Sequence, residues 1–149
     1  MEKLINLLKK TQQLNQRQLM EQVTKNPELK KLILDLNRID QLFNQGINSK
    51  GESLGEYAQS TILGTAKFKG KIEKGQPTDR VTLKDTGEYY ESFDLLFNND
   101  TIEFTSQDNY DLIGRYKEHL GLTTDNLQEA IQYIRAFILQ QIREQILIQ

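Results

Sequence analysis

The residues best suited to chemistry lie between positions 64 and 119. Asp85-Thr86-Gly87, with Leu83 upstream, is the tripeptide that aspartic proteases place in a loop after a strand. That reaction needs two aspartates sharing one proton. The chain carries one copy, flanked by the charges of Lys84 and Glu88, so a hydrolase at Asp85 would have to be a dimer. The plainer reading is a polar turn between a strand and a helix. Asp85, Glu88 and Glu91 are spaced to share one helix face. Paired carboxylates serve glycosidases and metal sites, and equally serve solvated surfaces. Gly64 through Gly70-Lys71 approaches a phosphate-binding loop. Five residues separate the glycines where that loop needs four, and Ile72 stands where a Ser or Thr would hold magnesium. His119, the one histidine, titrates near neutrality, but no Cys is present for it to activate. A surface or packing role is expected for it. Lys67, Lys69, Lys71, Lys74, Arg80 and Lys84 gather against only Glu73 and Asp79. Such a run can neutralise phosphates, with Phe68 the aromatic available for stacking, and it suits an acidic protein surface as well. No catalytic, cofactor or metal site emerges, and a non-enzymatic protein without a cofactor is expected.

Composition narrows the classes further. The 149 residues make one ordinary domain. The 19 Lys and Arg nearly balance the 21 Asp and Glu, and the net charge is −2, which excludes a strongly basic coat protein. With no Cys, disulfides, thiolate nucleophiles and Cys-ligated zinc are excluded. The charge is unevenly spread: +3 over residues 1–46, zero over 47–92 and −5 over 93–149. The apolar patch Leu4-Ile5, Leu7-Leu8 ends at Lys9-Lys10 and is too short for a signal-peptide core or a membrane span. A soluble protein made in the cytoplasm, without membrane contact, is expected.

Elements that must position these groups can be read from periodicity. Residues 1–46 read as a helical region broken at Pro27, with Asn26 as the cap of the second helix. Leu29, Leu32, Ile33, Leu36, Ile39 and Phe43 form its apolar stripe, and Gly46 suits the position after its end. Residues 47–149 read as an α+β core. Within it, 47–80 is glycine-rich and reads as a long loop. Val81-Thr82-Leu83 alternates like a strand, and Gly87 to Glu91 reads as a short helix. Phe93–Phe97 and Thr101–Thr105 read as a hairpin turning at Asn98-Asn99-Asp100. Asp125 with Gln128 suggests the start of a C-terminal helix reaching about residue 147. Leu127, Ile131, Ile134, Ile138, Ile142 and Ile146 supply its stripe, which should pack on the sheet.

One stretch carries a further signal. Gly46, Asn48-Ser49-Lys50-Gly51-Glu52-Ser53-Leu54-Gly55-Glu56-Tyr57, Thr61, Lys67, Val81-Thr82-Leu83, Thr86-Gly87, Tyr90 and Ser92-Phe93 follow one another in a telling order. Tyr116, His119 and Gly121 follow after the hairpin. This order resembles the phage virion-morphogenesis, or tail-completion, family of neck proteins. The resemblance implies a structural protein at the head–tail junction of a tailed phage or prophage, made in the bacterial host cytoplasm and carried in the virion. It implies rings of identical subunits, with portal, neck or tail proteins as neighbours and DNA nearby. The charge split allows head-to-tail packing of identical copies. Residues 47–80 are the expected subunit-contact element. Thr86, Gly87 and Ser92 are the expected fold-defining turn, with a positive φ at Gly87. A small nucleic-acid-binding phage protein using Lys67 to Lys84 is the alternative, and an aspartic-type hydrolase at Asp85 the third reading.

Overall fold

A computed structural model of the chain describes residues 1–6, 16–57, 66–98 and 101–147. Leu7, Leu8, Thr61, Gly64 and Asn99-Asp100 lie outside the described residues, as do the side chains of Lys67 and Ile146. Residues 2–6 make a helical turn. Helices α1 (Gln16–Lys25), α2 (Pro27–Asp35) and α3 (Leu36–Gln45) follow. Then come α4 (Ala66–Glu73), the short α5 (Glu88–Glu91), strands β1 (Asp94–Asn98) and β2 (Thr101–Thr105), the turn-length α6 (Leu112–Arg115) and the long α7 (Thr124–Leu147). The architecture is α+β, as the periodicity indicates.

The break at Pro27 forms as the sequence requires. The Asn26 side chain accepts the N–H of Leu29 at 2.9 Å, and Pro27 occupies a first-turn position that needs no donor. Beyond Asp35 the helix widens to π geometry through Gln45. That change rotates the buried face away from the stripe expected of a uniform helix. Leu29, Ile33, Leu36 and Leu42 are buried, whereas Leu32 and Ile39 face outward at 49% and 38% exposure. In place of Ile39, Asn37 and Gln41 lie inside with no exposed surface.

These two amides explain the substitution. Asn37 donates to the carbonyl of His119 at 2.9 Å and accepts the N–H of Gly121 at 3.2 Å. Gln41 donates to the carbonyl of Gly121 and accepts the N–H of Thr123, both at 2.9 Å. The pair reads the 119–123 backbone as a neighbouring strand would. Asn126 completes the set, donating to the Leu36 carbonyl, the Asp40 carboxylate and the Gln41 side chain. Among the described residues, no buried side-chain polar atom lacks a partner.

Helix α3 ends at Gly46, whose φ of 64° is left-handed. A Cβ there would meet the Val81 carbonyl at 3.0 Å and Arg80 Cβ at 3.1 Å. Both the turn and the close approach call for glycine.

The loop expected over 47–80 is more structured than its composition suggests. Asn48 folds 47–53 into a tight loop by accepting the N–H groups of Lys50 and Glu52, each at 2.9 Å. Helix α4 interrupts the second half. Val81 to Leu83 does not form a strand. Val81 donates to the Gly55 carbonyl at 3.0 Å, and Leu83 takes a φ of 62° that reverses the chain. A strand cannot continue through that conformation.

The expected hairpin forms, with Leu95 opposite Phe104 and Phe97 opposite Ile102. These four share the inner face, and β1 lies against α1 and α2. Lys30 pairs with Asp94 at 2.9 Å, tying α2 to β1. Helix α7 was expected on the sheet. It packs instead on α1, α2 and α3, so these helices form a middle layer between hairpin and α7. Its cap is Thr123, whose Oγ1 accepts the Asn126 N–H at 3.3 Å, two residues before the expected Asp125. Its core residues are Ala130, Tyr133, Ile134 and Phe137, while Leu127 is 47% exposed. The core face is centred on Ala130, Tyr133 and Phe137, which leaves Leu127 at its margin.

Two stability outcomes follow. Gln41→Leu leaves the Gly121 carbonyl and Thr123 N–H without partners and should cost about 2–4 kcal/mol in urea unfolding. Gly46→Ala should cost about 1–3 kcal/mol. A loss below the error of the fit for either variant would contradict the account of the corresponding contact.

Candidate functional site: a tyrosine-lined cleft

The tripeptide segment forms one wall of a cleft of about 320 Å³. Thr82 is fully buried, and its Oγ1 accepts the Lys84 N–H at 3.2 Å. Tyr90 donates its hydroxyl to the Thr82 carbonyl, and burial pushes that phenol far above its ordinary range. Thr86 Oγ1 accepts the Glu88 N–H at 3.3 Å, and Gly87 begins α5 with a φ of 98°, the positive value expected. Ser92 closes α5. Its hydroxyl donates to the Tyr89 carbonyl at 2.6 Å and accepts the Gln107 N–H at 3.1 Å. Thr86, Gly87 and Ser92 therefore do architectural work, starting and ending one short helix and joining it to the chain beyond the hairpin.

The second wall is built by Asp108. Its carboxylate accepts the N–H groups of Tyr110, Leu112 and Ile113 at 3.3, 2.8 and 2.7 Å. Burial pushes its pKa up, but these bonds outweigh burial and hold the carboxyl below its usual range. They fold Tyr110 to Tyr116 into a turn that presents Tyr110, Leu112, Arg115 and Tyr116 to the cleft. Asp111, on the same turn, takes a left-handed φ of 55°. With Leu83 opposite, each wall carries a bulky or charged residue in a conformation held by its surroundings.

His119 joins the walls. It is 1% exposed. Its Nδ1 lies 2.7 Å from the Tyr116 carbonyl, which can only accept, so Nδ1 carries the proton. Its Nε2, 2.6 Å away, then accepts from the Tyr89 hydroxyl, which in turn accepts from Ser106 at 2.9 Å. Burial lowers the His119 pKa against the weaker pulls of the Tyr116 carbonyl and the Asp108 charge. Of the two roles expected of His119, surface or packing, the structure shows packing.

The six basic residues separate. Lys71 is buried, its ammonium donating to the Lys84 carbonyl and to Gln76 at 3.4 Å. Arg80 donates to the Phe43 carbonyl at 3.2 Å and to Asp79 at 2.6 Å. Lys84 sets its ammonium 4.9 Å from the centre of the Phe43 ring. Lys69 and Lys74 are exposed, and the side chain of Lys67 lies outside the described residues. Phe68 is buried edge-on to Tyr57, centroids 6.0 Å apart. Lys71, Lys84, Asp85 and Thr86 meet at the cleft; Lys69, Lys74 and Arg80 do not line it. Asp85, Glu88 and Glu91 are exposed, and among the described residues no three His, Asp or Glu are grouped to hold a metal ion.

Sequence reasoning passed over the second wall. Its signal is a capping aspartate followed within eight residues by Tyr110, Arg115 and Tyr116. It also passed over Gly51-Glu52-Ser53-Leu54-Gly55, which has the glycine spacing of a nucleophile elbow. An elbow needs a strand-to-helix turn and a histidine. Ser53 instead pairs across a tight loop with Ile47, its hydroxyl accepts the Gly55 N–H at 3.0 Å, and both nitrogens of His119 are engaged elsewhere. No helix among the described residues is long and apolar enough to cross a membrane. Compared with protein-family models, curated proteins and solved structures, the chain matches none.

A pH dependence follows from the buried imidazole. The unfolded chain binds a proton at His119 near pH 6.5, and the folded chain does so only at lower pH. Stability is therefore complete above that value and falls as pH drops through it. The urea midpoint should be lower at pH 5.5 than at pH 7.5, and His119→Gln should flatten that difference. Equal slopes for both proteins would remove His119 as the cause.

Proposed function

We propose that the chain is a structural, non-enzymatic virion subunit of a tailed phage or prophage, acting as a ring-forming neck, head–tail connector or tail-completion protein. The observation that carries the reading is the ordered run from Gly46 to Phe93 together with what its members do. Residues far apart in that run meet: Gly46 lies under Val81 and Arg80, the Gly55 carbonyl accepts from Val81, and Tyr90 donates to Thr82.

The chemistry of the described surface supports contact rather than turnover. The single histidine is buried, with both ring nitrogens engaged in structural bonds. Several large apolar side chains stand exposed, among them Leu96, Tyr110, Ile113 and Leu139 at 50, 71, 49 and 53%. Of these, the tyrosine is of a type enriched among the anchors of protein interfaces. Partners on this reading are copies of the chain and the adjacent portal, neck or tail proteins, in a virion assembled in the bacterial cytoplasm.

A second reading, a nucleic-acid-binding phage protein, is kept by the exposure of Lys69 and Lys74. Two measurements separate the readings. Sedimentation of the purified chain, with detection of the chain in purified particles, should give a defined oligomer and a virion component. A strict monomer absent from particles would overturn the proposal. Affinity for DNA should be weak and fall only shallowly with salt, whereas a steep salt dependence would favour the second reading. Asp85→Asn should leave assembly unchanged; loss of assembly together with loss of a hydrolytic activity would revive the aspartic-type alternative.

A further inference from the structure

The outer face of the hairpin has one feature at odds with its polarity. Leu96 stands on it 50% exposed, directly opposite the exposed Glu103 on β2. Opposed side chains in an antiparallel pair lie about 5 Å apart at Cβ. The hairpin thus presents an apolar group and a carboxylate side by side. From Phe93 to Gln107 there are three acids and no Lys or Arg, and of these acids Asp94 is paired with Lys30.

The cleft presents the complementary pair. Leu112 and Arg115 sit three residues apart on one helical turn, a spacing that sets Cβ atoms about 5–6 Å apart on one face. Both line the cleft. Arg115 is exposed and makes no ion pair among the described residues; the same holds for Glu103. Tyr110 stands 71% exposed beside them. An aromatic beside an uncommitted arginine is the composition of an interface anchor site.

We infer that the cleft of one copy receives the outer face of the hairpin of a second copy, with Leu96 against Leu112 and Tyr110, and Glu103 on Arg115. The inference rests on the subunit reading above and names its contact. Hairpin and cleft are different patches, so each copy offers both halves. Such a contact repeats head to tail and closes into a ring when the rotation between copies permits. The acidic strand pair meets a cleft lined by Lys71, Lys84 and Arg115 against Asp85 and Glu88.

The chain has no cysteine, which makes the test direct. Glu103→Cys and Arg115→Cys are prepared as separate single variants, each checked for folding by circular dichroism, then mixed and oxidised. The expected product is a disulfide-linked pair in the mixture, with neither variant linking to itself. In parallel, Glu103→Arg and Arg115→Glu should each weaken self-association by about tenfold, and the two variants mixed together should recover part of it. An oligomer that forms without the mixed disulfide and ignores both charge reversals overturns this contact and leaves the subunit reading standing. Self-linking of Glu103→Cys alone means hairpin meets hairpin, and overturns it too. A chain that stays monomeric at every concentration overturns both.

Discussion

The fold depends on two side-chain amides acting as backbone. Asn37 and Gln41 lie on one face of α3 and together make four bonds to the 119–123 segment, two donated and two accepted. A segment that runs past a helix has no regular partner for its peptide groups, and burying them unpaired costs about 1–3 kcal/mol each. The amides remove that penalty and set the register at the same time. From this seam the rest is placed. His119 is delivered to Tyr89, Gly121 passes close to Ser49, and Thr123 stands where it can cap α7. The π geometry of α3 belongs with the same seam, because it is what turns two polar residues inward and Ile39 outward.

The cleft is a by-product of this arrangement. One wall hangs from α5, which Thr86 and Gly87 start and Ser92 ends. The other is folded by a single carboxylate, Asp108. They are joined through a buried imidazole whose tautomer is dictated by the carbonyl of Tyr116. Side chains with hydrogen-bonding or charged groups on the walls are mostly engaged in holding these segments together. Polar groups are thus turned to internal bonds, and tyrosine, leucine and arginine are left at the lip.

Much of this was legible in the residues. Local rules with short reach worked: Asn26 and Pro27 start α2, Gly46 ends α3, Gly87 needs a positive φ, and alternation finds both strands with their inner faces. What failed has a common cause. Leu29, Ile33 and Leu36 are buried as the stripe requires, but Leu32 lies at its margin, and Ile39 is turned out by a π segment set by partners eighty residues away. Val81 to Leu83 alternates as a strand does, yet its N–H and carbonyl groups go to Gly55 and Tyr90. The basic run looked like one patch because sequence gives no direction to a side chain; Lys71, Arg80 and Lys84 are spent on carbonyls, a carboxylate and a ring. The second wall went unseen because its logic is one carboxylate gathering three N–H groups, a pattern that leaves little trace in composition.

The length of the central seam has a kinetic side. Asn37 and Gln41 reach partners 80 to 84 residues further along the chain. Contacts of such separation pay a large loop-closure entropy before they return any stability, and they slow folding. Helices α1 to α3 leave the ribosome long before the residues that satisfy their buried amides exist. Until Thr123 is made, the middle layer has neither α7 on one side nor a matched polar surface within. The chain therefore commits to its structure late, after synthesis of most of its last third.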